Sequence, residues 1–143
     1  MIGDSAGFNT TSDNSLFIRS KAGFSNVKGN VNTFIGYQSG YSAVADSNTF
    51  VGYQAGYITT TGKGNTFLGA TSGRNNTTGS HNTFVGNGAG PTNSSSDDNV
   101  YIGYNTGSHD DGSSNTFLGS NADAVTPGLA NATAIGSGGQ SSH

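Results

Sequence analysis

The sequence predicts an all-β protein whose chain winds into a parallel β-solenoid, also called a β-roll or β-helix. An aromatic residue followed by an aliphatic residue recurs every 16 or 17 residues, usually within the string Asn-Thr-Phe-aliphatic-Gly. A period of this length is typical of stacked repeats, in which each copy forms one coil against its neighbours. Composition agrees, because 24 of the 143 residues are glycine and only 31% are hydrophobic, which is little material for a conventional core.

Nine copies of the aromatic-aliphatic pair fill the chain, from Met1-Ile2 to Ala134-Ile135. Disordered segments have no reason to place apolar residues so regularly, which argues against disorder despite the composition. We therefore expect one domain of about nine coils over residues 1–136, a segment of a longer fibre, followed by a flexible tail at 137–143. The positions expected to form the core or an interface are Phe17, Phe34, Phe50, Phe67, Phe84, Tyr101 and Phe117 in the aromatic column and Ile18, Ile35, Val51, Leu68, Val85, Ile102 and Leu118 in the aliphatic column.

Each coil is expected to contain a short strand at this pair. Asn-Thr-Phe-Ile-Gly is too short for a helix, is rich in aromatic and β-branched residues, and ends in a glycine that permits a sharp turn. A small residue four positions after the aliphatic one, such as Ser39 or Ala55, marks a second short strand. A polar loop then returns the chain to the next coil, and its length accounts for the alternation between 16 and 17 residues.

An asparagine column precedes the strands and has two interpretations. Identical amides stacked in register can hydrogen-bond along the axis of the rod, as they do in cross-β ladders. The functional alternative is a polar stripe that binds a ligand, and we favour the ladder because it explains why one residue type recurs. Its predicted members are Asn32, Asn48, Asn65, Asn82, Asn99, Asn115 and Asn131.

The two apolar columns also predict assembly. Side chains alternate across a strand, so the aromatic and aliphatic columns must point to opposite faces. One column fills the coil, and the other leaves a continuous apolar stripe that is larger than soluble monomers normally expose. We therefore expect a homo-oligomer, and a closed parallel trimer would cover the stripe of every subunit.

The threonine and tyrosine positions leave alternatives open. Threonines such as Thr33 and Thr49 favour β-structure, but a regular threonine face also raises ice binding as an alternative function. The column is interrupted by Val100. Tyrosines suit either sugar rings or a subunit boundary, because they are amphipathic. The candidate glycan contacts are Tyr37, Tyr41, Tyr53, Tyr57 and Tyr104.

The repeat resembles the left-handed parallel β-roll heads of YadA-like trimeric autotransporter adhesins, whose coils carry an Asn-Ser-x-Ala-Ile-Gly motif. Residues 131–136 read Asn-Ala-Thr-Ala-Ile-Gly, which is close to that motif. The other copies are similar to the NTFxG repeats of bacterial surface proteins and phage tail-fibre shafts. This resemblance implies a left-handed trimeric fibre outside the cell, on a cell surface or a virion tail. The coils differ from the YadA-like ones in their greater length and in an aromatic that replaces an alanine.

Charge and residue chemistry indicate neither an enzyme nor a cofactor site. Five basic and eight acidic residues give a net charge of −3 without a basic stripe for nucleic acid. No apolar run is long enough for direct membrane insertion. The histidines His81, His109 and His143 lie in polar segments, away from any repeated nucleophile and acid.

Acidic pairs in consecutive return loops indicate one candidate metal site, a calcium site. Oxygen ligands suit calcium, although neither loop resembles an EF-hand and exposed pairs are usually just solvated. The residues concerned are Asp97, Asp98, Asp110 and Asp111.

The expected function is structural or adhesive. A rigid stack of coils provides reach in an extracellular fibre, either a phage-type tail-fibre shaft or a bacterial surface adhesin, and its loops contact a host-surface glycan or receptor. The alternative is an ice-binding or other repeat-face binding module.

Overall fold

The computed structural model describes residues 1–11 and 13–141, and within these ranges the chain contains strands and turns but no helix. The strands are β1 (Leu16–Ile18), β2 (Thr33–Ile35), β3 (Thr49–Val51), β4 (Thr66–Leu68), β5 (Thr83–Val85), β6 (Val100–Ile102), β7 (Thr116–Leu118), β8 (Asp123–Ala124), β9 (Thr133–Ile135) and β10 (Gln140–Ser141).

The strands form a parallel β-solenoid of about seven turns. One eight-stranded sheet has the order β1-β2-β3-β4-β5-β6-β7-β9, and β8 pairs with β10 in a second sheet. All pairs are parallel and in register, so that Phe34 lies beside Phe50 and Phe50 beside Phe67. Eight of the nine sequence copies thus supply a strand of the large sheet, whereas Ile2 makes only an isolated bridge to Ile18.

A turn replaces the predicted second strand in most coils. In the coil of Ser39, the flanking residues Gln38 and Gly40 both have a φ of 56°, a left-handed conformation that an extended strand does not contain. Ser39 is buried in this turn, and its hydroxyl donates to the carbonyl of Phe50 at 2.9 Å. In the described part of the chain, this place in the coil is a strand only at β8 and its partner β10, where Asp123 and Gln140 stand in the glycine column.

The aromatic column fills the interior of the coils. The seven rings from Phe17 to Phe117 are at most 1% exposed. Each stacks on the next with centroids 4.7–5.3 Å apart. This distance matches the inter-strand spacing of about 4.8 Å, so the backbone ladder sets the spacing of the rings. Burial of each ring contributes roughly 1.5–3 kcal/mol to stability.

Glycine occupies two corners of most coils. A Cβ atom on Gly40 would lie 2.6 Å from Cδ2 of Phe34 in its own coil. A Cβ atom on Gly69 would lie 2.5 Å from the carbonyl carbon of Gly86 in the next coil. Both glycines also have positive φ values, 56° and 136°, which favour glycine over other residues.

The asparagine column forms a ladder, but the partners of its amides are main-chain groups. Oδ1 of Asn65 accepts from the backbone N–H of Asn82 at 2.9 Å, and Nδ2 of Asn65 donates to the carbonyl of Gly79 at 2.8 Å. The same pair of bonds recurs at every position from Asn32 to Asn115. Each amide therefore ties its own return loop to the next coil, and all members are buried.

The predicted place of Asn131 in this ladder is wrong. In the last copy the asparagine lies two residues before Thr133 instead of one, so Ala132 occupies the ladder position. The N–H of Ala132 donates to Oδ1 of Asn115 at 2.7 Å, which ends the ladder. Asn131 itself is exposed, with a φ of 58°.

The difference between 16- and 17-residue coils lies in the return loop. Ala43 follows Asn32 by eleven residues, and Thr59 likewise follows Asn48 by eleven. The N–H groups of Ala43 and Thr59 donate to equivalent glycine carbonyls at 3.1 and 3.2 Å. After this point, four residues precede Asn48 and five precede Asn65. The strand and corners therefore keep their register while the loop absorbs the extra residue.

Part of the predicted flexible tail belongs to a strand. β10 pairs with β8, and the carbonyl of Gly139 accepts from the N–H of Asp123 at 2.9 Å. Residues 142 and 143 lie outside the described residues.

Replacing Asn65 with alanine is expected to lower the free energy of unfolding by about 2–5 kcal/mol. Two buried main-chain groups, the N–H of Asn82 and the carbonyl of Gly79, would lose their partners at about 1–3 kcal/mol each. Urea unfolding followed by circular dichroism measures the loss. Asn87→Ala, at an exposed position without a positive φ, is the matched control and should change stability by less than about 0.5 kcal/mol. Equal losses in the two variants would contradict the ladder.

Candidate functional site

The outer face of the eight-stranded sheet is the broadest repeated surface of the chain. Because the aromatic column points inward, the threonine and aliphatic columns both point outward. Leu68, Ile102 and Leu118 are 36%, 38% and 45% exposed, and Ile135 is 70% exposed. The remaining stripe positions Ile18, Ile35, Val51 and Val85 are half-buried. The face is therefore a regular array of hydroxyl-bearing and aliphatic side chains.

The stripe is less exposed than its composition suggests, because each aliphatic side chain is partly covered by its neighbours in the coils above and below. Less than half of each residue remains to be buried, except at Ile135 in the last strand of the sheet. Covering the remainder would gain roughly 0.5–1.5 kcal/mol per residue, a fraction of the value for complete burial. Each residue of the face therefore has only a small apolar area left to bury.

An open groove of about 440 Å³ runs beside this face near the amino-terminal end. Its floor includes Gly36 and Gly52, and its walls are the aliphatic column on one side and Tyr37 and Tyr53 on the other. The two tyrosine rings stack on each other with centroids 5.8 Å apart. Arg19, which takes the place of a corner glycine, contributes to one end.

A second aromatic stack follows another corner of the solenoid. The rings of Phe8, Phe24, Tyr41 and Tyr57 lie 5.1–5.4 Å apart, and the guanidinium of Arg74 continues the stack 5.4 Å from the centre of the Tyr57 ring. Rings that cover one another leave mainly their edges free, whereas a sugar packs on a ring face.

The five candidate glycan tyrosines therefore differ in what they offer. Tyr37, Tyr41, Tyr53 and Tyr57 each share a face with a neighbouring ring. Tyr104 is 61% exposed and stacks on no other ring of the described residues. Among the five, its ring is the one with neither face stacked on another ring.

The predicted calcium site is not assembled. Asp110 is buried in the coil interior, whereas Asp97, Asp98 and Asp111 are exposed. Oδ1 of Asp97 accepts from the N–H of Ser80 at 2.7 Å. Among the described residues, no three acidic or histidine side chains come close enough to hold a metal ion. The prediction is wrong because Asp110 points into the coil interior, away from the three exposed carboxylates.

Asp110 instead belongs to a buried network with Tyr101. Its Oδ2 accepts from the Tyr101 hydroxyl and from Nδ2 of Asn115, the latter at 2.7 Å, and its Oδ1 accepts from the N–H of Gly112 at 3.0 Å. Burial, together with the bond to Asp110, raises the pKa of Tyr101 far above its usual value. The phenol is therefore held neutral, as the donor to the carboxylate.

A cluster of Ser108, His109 and Asp123 was missed by sequence reasoning. Oδ2 of Asp123 accepts from the Ser108 hydroxyl at 2.8 Å and from the His109 N–H at 3.0 Å, and it lies 2.8 Å from Nδ1 of His109. The available signal was the Asp at position 123, where preceding coils have glycine. The Asp123 carboxylate replaces the main-chain acceptor that position 109 would find in a regular corner.

The geometry of this cluster fits a structural hydrogen-bond network at the corner of the coil better than an activated serine nucleophile. The Ser108 hydroxyl oxygen lies 3.0 Å from Nδ1 of His109, but Asp123 contacts the same nitrogen. In a catalytic triad the serine and the orienting acid contact opposite nitrogens of the ring. In the other described histidine, His81, Nδ1 lies 3.6 Å from Oδ1 of Asp98, and both side chains are exposed. His143 lies outside the described residues.

No helix among the described residues has the length and apolar character needed to cross a membrane. No family model, curated protein or solved structure matches this chain.

Tyr101 and Asp110 are expected to behave as a coupled pair in stability measurements. Tyr101→Phe should lower the free energy of unfolding by about 1–3 kcal/mol, because the buried carboxylate loses a donor. The double variant Tyr101→Phe, Asp110→Asn reproduces the Phe84 and Asn93 pair of the preceding coil, and it should recover most of the loss. Additive losses in this double-mutant cycle would contradict a direct interaction.

The raised pKa of Tyr101 also predicts a loss of stability in alkali. In the unfolded chain the phenol ionises with a pKa of about 10, whereas in the folded chain it stays neutral. Below about pH 10 the phenol is neutral in both states, and the folded chain keeps its full stability. Above that pH the phenol ionises only in the unfolded chain, so the free energy of unfolding falls by up to about 1.4 kcal/mol per pH unit. Denaturant unfolding at several alkaline pH values should show a smaller slope in Tyr101→Phe. Parallel slopes in the two proteins would refute this role of Tyr101.

Proposed function

We propose that this chain is a structural, adhesive segment of an extracellular fibre, in which nine-level, left-handed rods associate as a parallel homotrimer. The observation that carries the proposal is the outward aliphatic column, which follows the entire eight-stranded sheet. A stack of identical coils extends by about 4.8 Å per level, so adding coils lengthens a stiff rod. Trimer and fibre fit the family resemblance of the repeat, whether the fibre is a phage-type tail-fibre shaft or a bacterial adhesin.

The width of the stripe favours threefold closure. Most strands present two outward residues, one threonine and one aliphatic, so the apolar part is mainly a single column. Leu16 in β1 and Val100 in β6 replace the threonine. Three rods around a common axis bring three such columns to the centre and leave none exposed. In a parallel arrangement, equal levels of the three chains meet and the same packing repeats along the rod.

The energy of this interface depends on length. The eight strands of the sheet, at roughly 0.5–1.5 kcal/mol each, give about 4–12 kcal/mol per subunit and about 12–36 kcal/mol per trimer. This gain is similar to the cost of two association steps at about 4–15 kcal/mol each. A rod of this length should therefore associate in a concentration-dependent way, and a longer array of the same coils should associate more tightly.

Charge distribution distinguishes parallel from antiparallel association. All five lysines and arginines lie within residues 1–74, whereas five of the eight aspartates follow residue 74. Parallel rods place like-charged halves side by side, so salt should strengthen the trimer by screening repulsion. Antiparallel rods would place opposite charges together, and salt would weaken them.

Contact with a host surface is assigned to the exposed return loops and to Tyr104, whose ring stacks on no other ring of the described residues. A glycan array with the wild-type chain and Tyr104→Ala tests this part of the proposal. Reproducible binding that is lost in the variant supports an adhesive segment, whereas binding to no glycan leaves a passive shaft.

Sedimentation velocity over a range of concentrations tests the assembly. The wild-type chain should populate a trimer, and Leu68→Lys with Leu118→Lys should shift it to monomer without changing its circular dichroism. Thr78→Lys, an exposed return-loop position, is the matched control and should leave the trimer intact. A compact monomer at every concentration, or equal effects of all three substitutions, would contradict the proposal.

Ice binding is the second candidate, because outward threonines are in register from β2 to β5. Val100 interrupts the column, and Tyr37 and Tyr53 rise beside the face. Thermal hysteresis in the monomeric Leu68→Lys, Leu118→Lys variant and in the wild type separates the candidates, since only an ice-binding face gives a freezing gap.

A further inference from the structure

A file of side chains runs through the interior beside the aromatic column. Its members lie eleven residues after the ladder position of each coil, and all are fully buried. This interior file consists of Asn26, Ala43, Thr59, Asn76, Asn93 and Asp110.

Most of its polar atoms have no partner among the described residues. Both amide atoms of Asn26, Asn76 and Asn93, and the hydroxyl of Thr59, make no hydrogen bond. Leaving seven buried polar atoms unpaired would cost about as much as the whole net stability of a typical domain. Since buried polar groups are nearly always paired, these atoms require partners in solution.

Ala43 divides the interior file into two parts that differ in whether their members can reach a hydrogen-bond partner in the next coil. Thr59, Asn76 and Asn93 occupy successive levels about 4.8 Å apart, so small side-chain rotations let them pair along the file. Asn26 lies two levels, or about 9.6 Å, from Thr59, which is too far for a direct hydrogen bond. Ala43, between them, has no polar side-chain atom.

Ala43 has the smallest side chain in the interior file. An alanine side chain is smaller than an asparagine by about the volume of one water, about 30 Å³. Ser39, in the same coil, does not compete, because its hydroxyl already donates to the carbonyl of Phe50. A polar level of this size, enclosed by buried side chains, fits a buried water site.

We propose that one or two ordered water molecules occupy the Ala43 level and connect the amide of Asn26 with the hydroxyl of Thr59. The site is a property of the single rod and does not depend on the proposed fibre function. It links the first part of the interior file to the remainder.

Two substitutions of equal size test the proposal. Ala43→Thr fills the level and supplies a hydroxyl that replaces the water, whereas Ala43→Val fills it without a polar atom. Ala43→Val should therefore melt at least about 2 °C below Ala43→Thr. Val44→Thr, at an exposed return-loop position, is the control for the Val-to-Thr difference outside the interior. Equal melting temperatures, or a higher one for Ala43→Val, would overturn the proposal.

A high-resolution crystal structure of the wild-type chain provides the direct test. Water density at the Ala43 level, within hydrogen-bond distance of Asn26 or Thr59, is expected in the wild type and should be absent from both Ala43 variants. A dry level, with the Asn26 amide bonded to protein atoms, would overturn the proposal even if the variants differed in stability.

Discussion

The spacing of hydrogen-bonded parallel strands, about 4.8 Å, is the constraint on which the rest of this structure depends. Because every coil repeats at this distance, each side chain meets the residue of its own column above and below. Flat rings fit this distance by stacking, and asparagine fits it because its amide reaches the next backbone N–H. Glycine fits where no side chain does, as at Gly69. The same spacing makes the aliphatic residues cover one another in part, which reduces the apolar area that the outer face exposes.

Features that depend on periodicity could be predicted from the sequence, and features that depend on main-chain partners could not. The inward column from Phe17 to Phe117 follows from alternation in a strand, and the corner glycines follow from their spacing. The amide partners of Asn65 are an N–H and a loop carbonyl, which every residue possesses and no motif displays. The predicted second strand was wrong because left-handed residues flank Ser39, including Gln38, which is not a glycine.

The remaining surprises lie where the repeat is broken. Tyr101 adds a hydroxyl to a stack of phenylalanine rings, and this hydroxyl donates a hydrogen bond to Asp110 in the same coil. Asp123 enters a glycine column and gathers Ser108 and His109 around its carboxylate. In both cases a column changes residue type and a new polar partner appears one coil or less away. Departures from a repeat are thus better guides to specific chemistry in this fold than the repeat itself, although the geometry of each partner needs coordinates.

The return loop gives the rod a property that the strands do not have. It accepts 16 or 17 residues per coil while the columns on either side keep their alignment, and a longer loop costs little additional entropy. Each turn therefore offers an attachment point on the same side of a stiff axis, at a fixed interval from the next. Such an array works as a molecular ruler: peptides grafted into successive loops would be held at known separations, and weak contacts by several loops would add to high avidity against a patterned surface.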